Sequence, residues 1–182
     1  MSGHGPHVEP NNKKVALLIA LLALVLAFSE TLGKSAQTAA LTHNIEASNL
    51  WSFFQAKTIR MTTLRTAAES MEPTPGLSDS AKAQVAKWKA AAARYDSEPE
   101  TREGRKELSA RALEQEAKRN RAMAAYHHYE FASALIQIAI VLSSAMIITG
   151  ITALGWGSVA LGVLGIVFSG IGFFAPTAVH LF

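Results

Sequence analysis

The chain has no cysteine. That excludes disulfides, thiolate catalysis and cysteine-ligated zinc or iron–sulfur sites, and it leaves the compartment open. Charge is scarce as well. Asp, Glu, Lys and Arg make up 17% of 182 residues, below the roughly 25% of soluble domains. The scarcity is uneven: residues 131–182 contain none of the four. Mean hydropathy is nevertheless only +0.18, so a polar segment must offset strongly apolar ones. Nucleotide-loop, zinc-protease and nucleophile-elbow motifs are absent too. Nothing therefore specifies a reaction, and the expectation is a chain that is not an enzyme, with no cofactor and no metal. The isoelectric point near 9.3 suits an anionic lipid surface better than nucleic acid, because basic and acidic residues are interleaved. No nucleic-acid partner is expected.

What is present is apolar sequence in long runs. Residues 15–28 read VALLIALLALVLAF. Continued to residue 32, the run spans about 27 Å as a helix, close to the ~30 Å hydrocarbon core of a bilayer. A cleaved signal peptide is the rival reading; the length of the run and the lack of a prompt A-x-A site favour a retained span. The expected first span is 15–33, after a Gly/Pro-rich disordered tail over 1–14 that holds His4 and His7. The uncharged 131–182 segment is too long for one crossing. Its Gly155-Trp156-Gly157-Ser158 suggests a turn, dividing it into a second span at 131–154 and, within 155–182, a third span that ends at Pro176.

Between the spans lie residues 34–130, without Gly or Pro from Lys34 to Glu72. The first helix is thus expected to run on to about residue 72, roughly 87 Å in all. Pro73-Thr74-Pro75-Gly76 ends it. Ser78 or Asp79 can cap a second helix ending near Tyr95, and Pro99 precedes a third, expected from about Glu100 and running into the second span. Ala40, Ala47, Phe54, Met61 and Ala68 recur every seven residues, with Leu50, Leu64 and Met71 beside them. Ala110, Ala117, Ala124 and Phe131, with Leu113, predict the matching stripe on the returning helix. The fold class expected is an all-α membrane protein with three transmembrane helices. The first two extend into an antiparallel, coiled-coil-like helical stalk whose tip lies near 73–99.

The segment IEASNLWSFFQAKTIR at 45–60, together with the first apolar run and the C-terminal GFFAPTAVHLF, resembles the DUF4337 family of bacterial membrane proteins, whose function is not established. The resemblance implies a bacterial inner-membrane, multi-pass protein with three spans and a helical extramembrane insert. It supplies no catalytic residues.

Several groups are candidates for contact. Trp51, Phe54, Gln55, Lys57 and Arg60 sit within three turns, with aromatic surface on more than one side. They serve a partner, a second copy, or packing within the chain. Gly162, Gly165 and Ser169 belong to small-xxx-small pairs that permit close helix approach, within or between subunits. Glu30 and Gln137 are the polar groups expected at membrane depth. His43 with Glu46, and His127 and His128 with Glu130, read as interfacial polar residues beside Tyr126 and Tyr129, against a weaker metal-site reading. Lys34, Lys118, Arg119 and Arg121 outnumber Lys13 and Lys14 near the spans, which predicts a cytoplasmic insert. The expected role is a non-enzymatic membrane scaffold or accessory subunit. It would sit in the lipid bilayer, self-associate as a homo-oligomer and present its stalk to a membrane-complex partner. The alternative is a homo-oligomeric channel in which Glu30 and Gln137 line an ion path.

Overall fold

The computed structural model describes residues 10–179, with side chains from residue 13 onward. His4, His7 and the rest of residues 1–9, expected as a disordered tail, lie outside the described residues. Among those described, four helices follow in order: α1 (Pro10–Met71), α2 (Asp79–Asp96), α3 (Arg105–Thr149) and α4 (Thr152–Phe174). α1 starts earlier than residue 15, on a proline, whose missing N–H costs nothing at a first helical position. It then runs unbroken for 62 residues, as the lack of breakers predicts. Ser78 caps α2 by accepting from the Ala81 backbone N–H.

Two boundaries differ from expectation. α3 begins at Arg105, not near Glu100. Arg102 takes a left-handed backbone (φ 58°), and the Glu107 carboxylate reaches back to Ser97 Oγ at 2.6 Å and to the Glu98 backbone N–H at 3.1 Å. Residues before 105 are thereby held as loop. The hairpin turn lies at Gly150-Ile151 rather than at 155–158, so the second span ends earlier and the third begins earlier. Gly150 adopts φ 72°, which a side chain would resist. Its N–H bonds Met146 O, and Thr149 Oγ1 accepts from the Ile151 N–H. Gly155 and Gly157 sit inside α4 instead, against Met146 and Leu142.

The chain forms two compact units. One comprises Met1–Ala40 and Asn120–Phe182, the other Leu41–Arg119. In the first, Leu22, Ile136 and Ala139 form a buried cluster, with Leu18, Val25, Leu26, Ile140 and Leu161 packed on it. α1, α3 and α4 each contribute. In the second, α1 residues 41–71, α2 and α3 residues 105–119 pack together. There His43 meets Gln115, and Thr58 meets Arg105, so α1 and α3 run antiparallel.

Burial on α1 keeps the expected sevenfold spacing: Ala40, Ala47, Met61 and Ala68 are buried and Phe54 half-buried. On α3 the expected register is wrong by two residues. Ala110, Ala117, Phe131 and Leu113 are exposed; Leu108, Ala112, Tyr129, Ser133, Ile136 and Ser143 are buried. Between Ala112 and Tyr129 that stripe passes through Gln115 and Arg119, whose polarity hides it. Gln115 is tolerated because its Oε1 faces His43 Nδ1 at 2.8 Å. A polar layer whose members partner each other avoids the cost of an unsatisfied buried group.

Candidate functional site

In the second unit the 45–60 segment is the point where three helices meet. Trp51 and Phe54, one turn apart, stack edge to face at 5.4 Å. Trp51 Nε1–H donates to Glu116 on α3 at 2.8 Å. Arg105 lays its guanidinium 4.9 Å above the Phe54 ring. It also donates from Nε to Thr58 Oγ1 at 2.8 Å and from Nη1 to Asp96 at 3.2 Å. Lys57 is 7% exposed, an expensive place for an ammonium unless it is paired. Its Nζ lies 5.2 Å from the ring centroids of Phe53 and Tyr95 and 3.8 Å from Glu103. Ring faces attract the cation where water is excluded. Of the five candidates here, Trp51, Phe54 and Lys57 are engaged by the chain's own helices, while Gln55 and Arg60 are exposed.

Electrostatics around this node hold carboxylates ionised. Lys106, bonded to Asp96 and backed by Arg105, keeps that carboxyl below its usual range. Arg94 does the same for Glu98, and the Ser97 hydroxyl for Glu107.

In the first unit four small residues of α4, Ser158, Gly162, Gly165 and Gly172, are buried. A β-carbon added at Gly162 would lie 2.7 Å from Leu22 Cδ2, and one at Gly165 would lie 2.5 Å from Ile136 Cγ1 and 3.1 Å from Ala132 O. Ser169 Oγ and Ser29 Oγ are 2.7 Å apart. The close approach expected of these three residues is made, and it is made within one chain. Ser158 adds a bond to Ala139 O at 2.7 Å and a hydroxyl contact with Ser143 at 2.6 Å. Ser158 is visible in the sequence as a small residue four before Gly162, whereas Ser143 is not, since a lone hydroxyl in an apolar run carries no pattern. His128 is buried and faces the Pro176 and Val179 carbonyls at 3.1 Å through Nε2. It thereby ties down the segment after α4.

Gln137 Nε2 donates to Glu30 Oε1 at 3.3 Å, and both are exposed. They line a groove of about 490 Å³ between α1 and α3, together with Lys34, Gln37, Tyr126, Tyr129, Glu130 and Ser133. The histidine–carboxylate pairs stay pairs. His43 lies 3.9 Å from Glu46 and His127 3.7 Å from Glu130. Among the described residues no group of three or more such ligands is gathered.

A family model described as a domain of unknown function, DUF4337, matches residues 11–175. The chain belongs to the DUF4337 family. The matched region takes in all of α2, α3 and α4 and nearly all of α1, so the family pattern covers both units of this DUF4337 chain. No curated protein and no solved structure matches it.

Proposed function

We propose that this DUF4337 protein is a multi-pass, non-enzymatic scaffold of the bacterial inner membrane. It associates with further copies, or with a membrane complex, through its second unit. Three helices are long and apolar enough to cross a bilayer, and less than a third of each most apolar window is buried within the chain. Leu24, Phe28, Val141, Ile148 and Trp156 are more than half exposed. Apolar surface of that extent needs a covering of lipid or protein.

The observation that carries the association is on α1. Leu41, Ile45 and Ile59 are 60%, 52% and 67% exposed. At 100° per residue they share a face, opposite the stripe of Ala40, Ala47, Met61 and Ala68. In this reading the contact surface is the Leu41–Ile45–Ile59 stripe with the neighbouring Gln55 and Arg60. Trp51, Phe54 and Lys57 support it from behind. The ion-path alternative has less behind it: Glu30 and Gln137 are bonded to each other in an open groove.

The test is native mass after gentle extraction. A fixed multiple of 19.5 kDa, or a second polypeptide at fixed stoichiometry, is expected. Either should be lost in Ile45→Glu/Ile59→Glu with helicity unchanged. A partnerless monomer in the unaltered chain would contradict the proposal. The cytoplasmic placement of residues 34–130 is checked by a reporter fused at 73–76, which should be inactive when it requires export.

A further inference from the structure

The groove between α1 and α3 in the first unit carries an ordered set of charges. Its polar wall on α1 is Glu30, Lys34 and Gln37, and on α3 it is Glu130, Ser133 and Gln137. The Glu30–Gln137 bond fixes the antiparallel register. With a rise of about 1.5 Å per residue, Lys34 then lies level with Ser133, and Glu130 roughly 4–5 Å further from the apolar stretch. The order outward from the apolar end is therefore Glu30, Lys34, Glu130. Apolar side chains continue the two walls inward: Leu26, one turn before Glu30 on α1 and half-buried, and Val141, one turn after Gln137 on α3 and exposed. Tyr126 and Tyr129 flank the outer end.

We propose that this groove binds one phospholipid with an ethanolamine headgroup. The inference rests on the membrane reading above. The phosphate takes Lys34, and the ammonium, two carbons further out, takes Glu130. The acyl chains lie along Leu26 and Val141. A phosphate and an ammonium so spaced match a lysine and a glutamate one helical turn apart in height. Charge complementarity also selects among headgroups. Phosphoglycerol offers only an anion and meets two carboxylates. Phosphocholine has a cation without N–H donors, so it cannot hydrogen-bond Glu130. A primary ammonium donates three such bonds.

The experiment is native mass spectrometry of the full chain from micelles holding equal amounts of phosphatidylethanolamine, phosphatidylglycerol and phosphatidylcholine. The expected result is a single ethanolamine-lipid adduct, at least about fivefold more abundant than either competitor. Lys34→Gln should lower all phospholipid adducts. Glu130→Gln should abolish the preference for ethanolamine over glycerol headgroups while leaving total adduct nearly unchanged. A merely structural role does not move that selectivity. Glu114→Gln, in the second unit, should leave the adduct pattern as it was. Equal adducts of the three lipids, no adduct, or a preference that survives Glu130→Gln would overturn the assignment. A chain that stays soluble without detergent would instead overturn the membrane reading itself, so the two failures are distinguishable.

Discussion

The same two helices, α1 and α3, pass through both units, yet they are joined by different chemistry in each. In the first unit, apart from the exposed Glu30–Gln137 bond, the joints run through α4 and are small and neutral: Gly162 on Leu22, Gly165 on Ile136, Ser29 on Ser169, Ser158 on Ser143 and Ala139. In the second they are large and charged: Arg105 on Phe54, Thr58 and Asp96, Lys57 between Phe53 and Tyr95, Trp51 on Glu116. On the membrane reading proposed above, the difference follows from what surrounds each unit. Where the surroundings are as apolar as leucine, burying leucine gains little, and association depends on close backbone approach and hydrogen bonds. Where the surroundings are water, aromatic and aliphatic burial is favourable. Long cationic side chains can also cover it while their charged ends stay paired or wet.

The sharpest way to break this contrast is to fill a glycine contact. Gly165→Val should destabilise the first unit by about 3 kcal/mol, the upper range for overpacking. Gly170→Val should do far less, since nothing lies within 4 Å of its added β-carbon. Denaturant titration in mild detergent compares the two, and equal losses would remove the glycine argument. Next in size, Arg105→Ala takes away a ring contact and three hydrogen bonds, to Thr58, Asp96 and Met61 Sδ, and should cost the second unit about 2 kcal/mol. Hydrogen exchange should show faster opening in residues 41–119 and an unchanged first unit. Ser158→Ala should cost about 1 kcal/mol, in line with interhelical hydroxyl bonds in membranes. That loss should appear as a lower unfolding midpoint in detergent.

The smallest effect expected is that of acid. Asp96, Glu98 and Glu107 have folded-state pKa values below their ordinary ones. Their stabilisation is therefore present above the ordinary carboxylate range and lost as pH falls through the depressed values. All three are near the surface, so screening keeps the effect small. Hydrogen exchange between pH 5 and pH 2.5 should loosen residues 79–108 first. Loosening that begins in α4 would reverse the comparison.

How much of this was legible beforehand depends on what each feature rests on. The unbroken α1 follows from the run without Gly or Pro after Lys34, and the start of α2 from Ser78. The sevenfold stripe on α1 was readable because apolar residues fill it. Its counterpart on α3 was not, because Gln115 and Arg119 occupy it and only their tertiary partners make that tolerable. The position of the turn is hidden for a related reason. Gly155 and Gly157 look like turn formers, yet they serve as contact points inside α4, while the single Gly150 takes the left-handed backbone. A glycine in sequence does not say whether its freedom or its size is being used. For the candidate site, Trp51, Phe54 and Lys57 were recognisable as contact residues. That their contacts lie within the chain depends on Arg105, Tyr95 and Glu116, distant in sequence.

On the reading proposed above, the first unit is surrounded by lipid and the second by water. Because the chain has no cysteine, single cysteines report without background. Val141 and Val163 are 65% and 54% exposed within the chain, and Leu113, outside the proposed contact stripe, is 56% exposed. Their exposures match, so only the surrounding medium separates them. In opened native membranes, a water-soluble maleimide should modify a cysteine at Leu113 rapidly. It should modify those at Val141 and Val163 only after denaturation. Rapid labelling at all three positions would contradict the account.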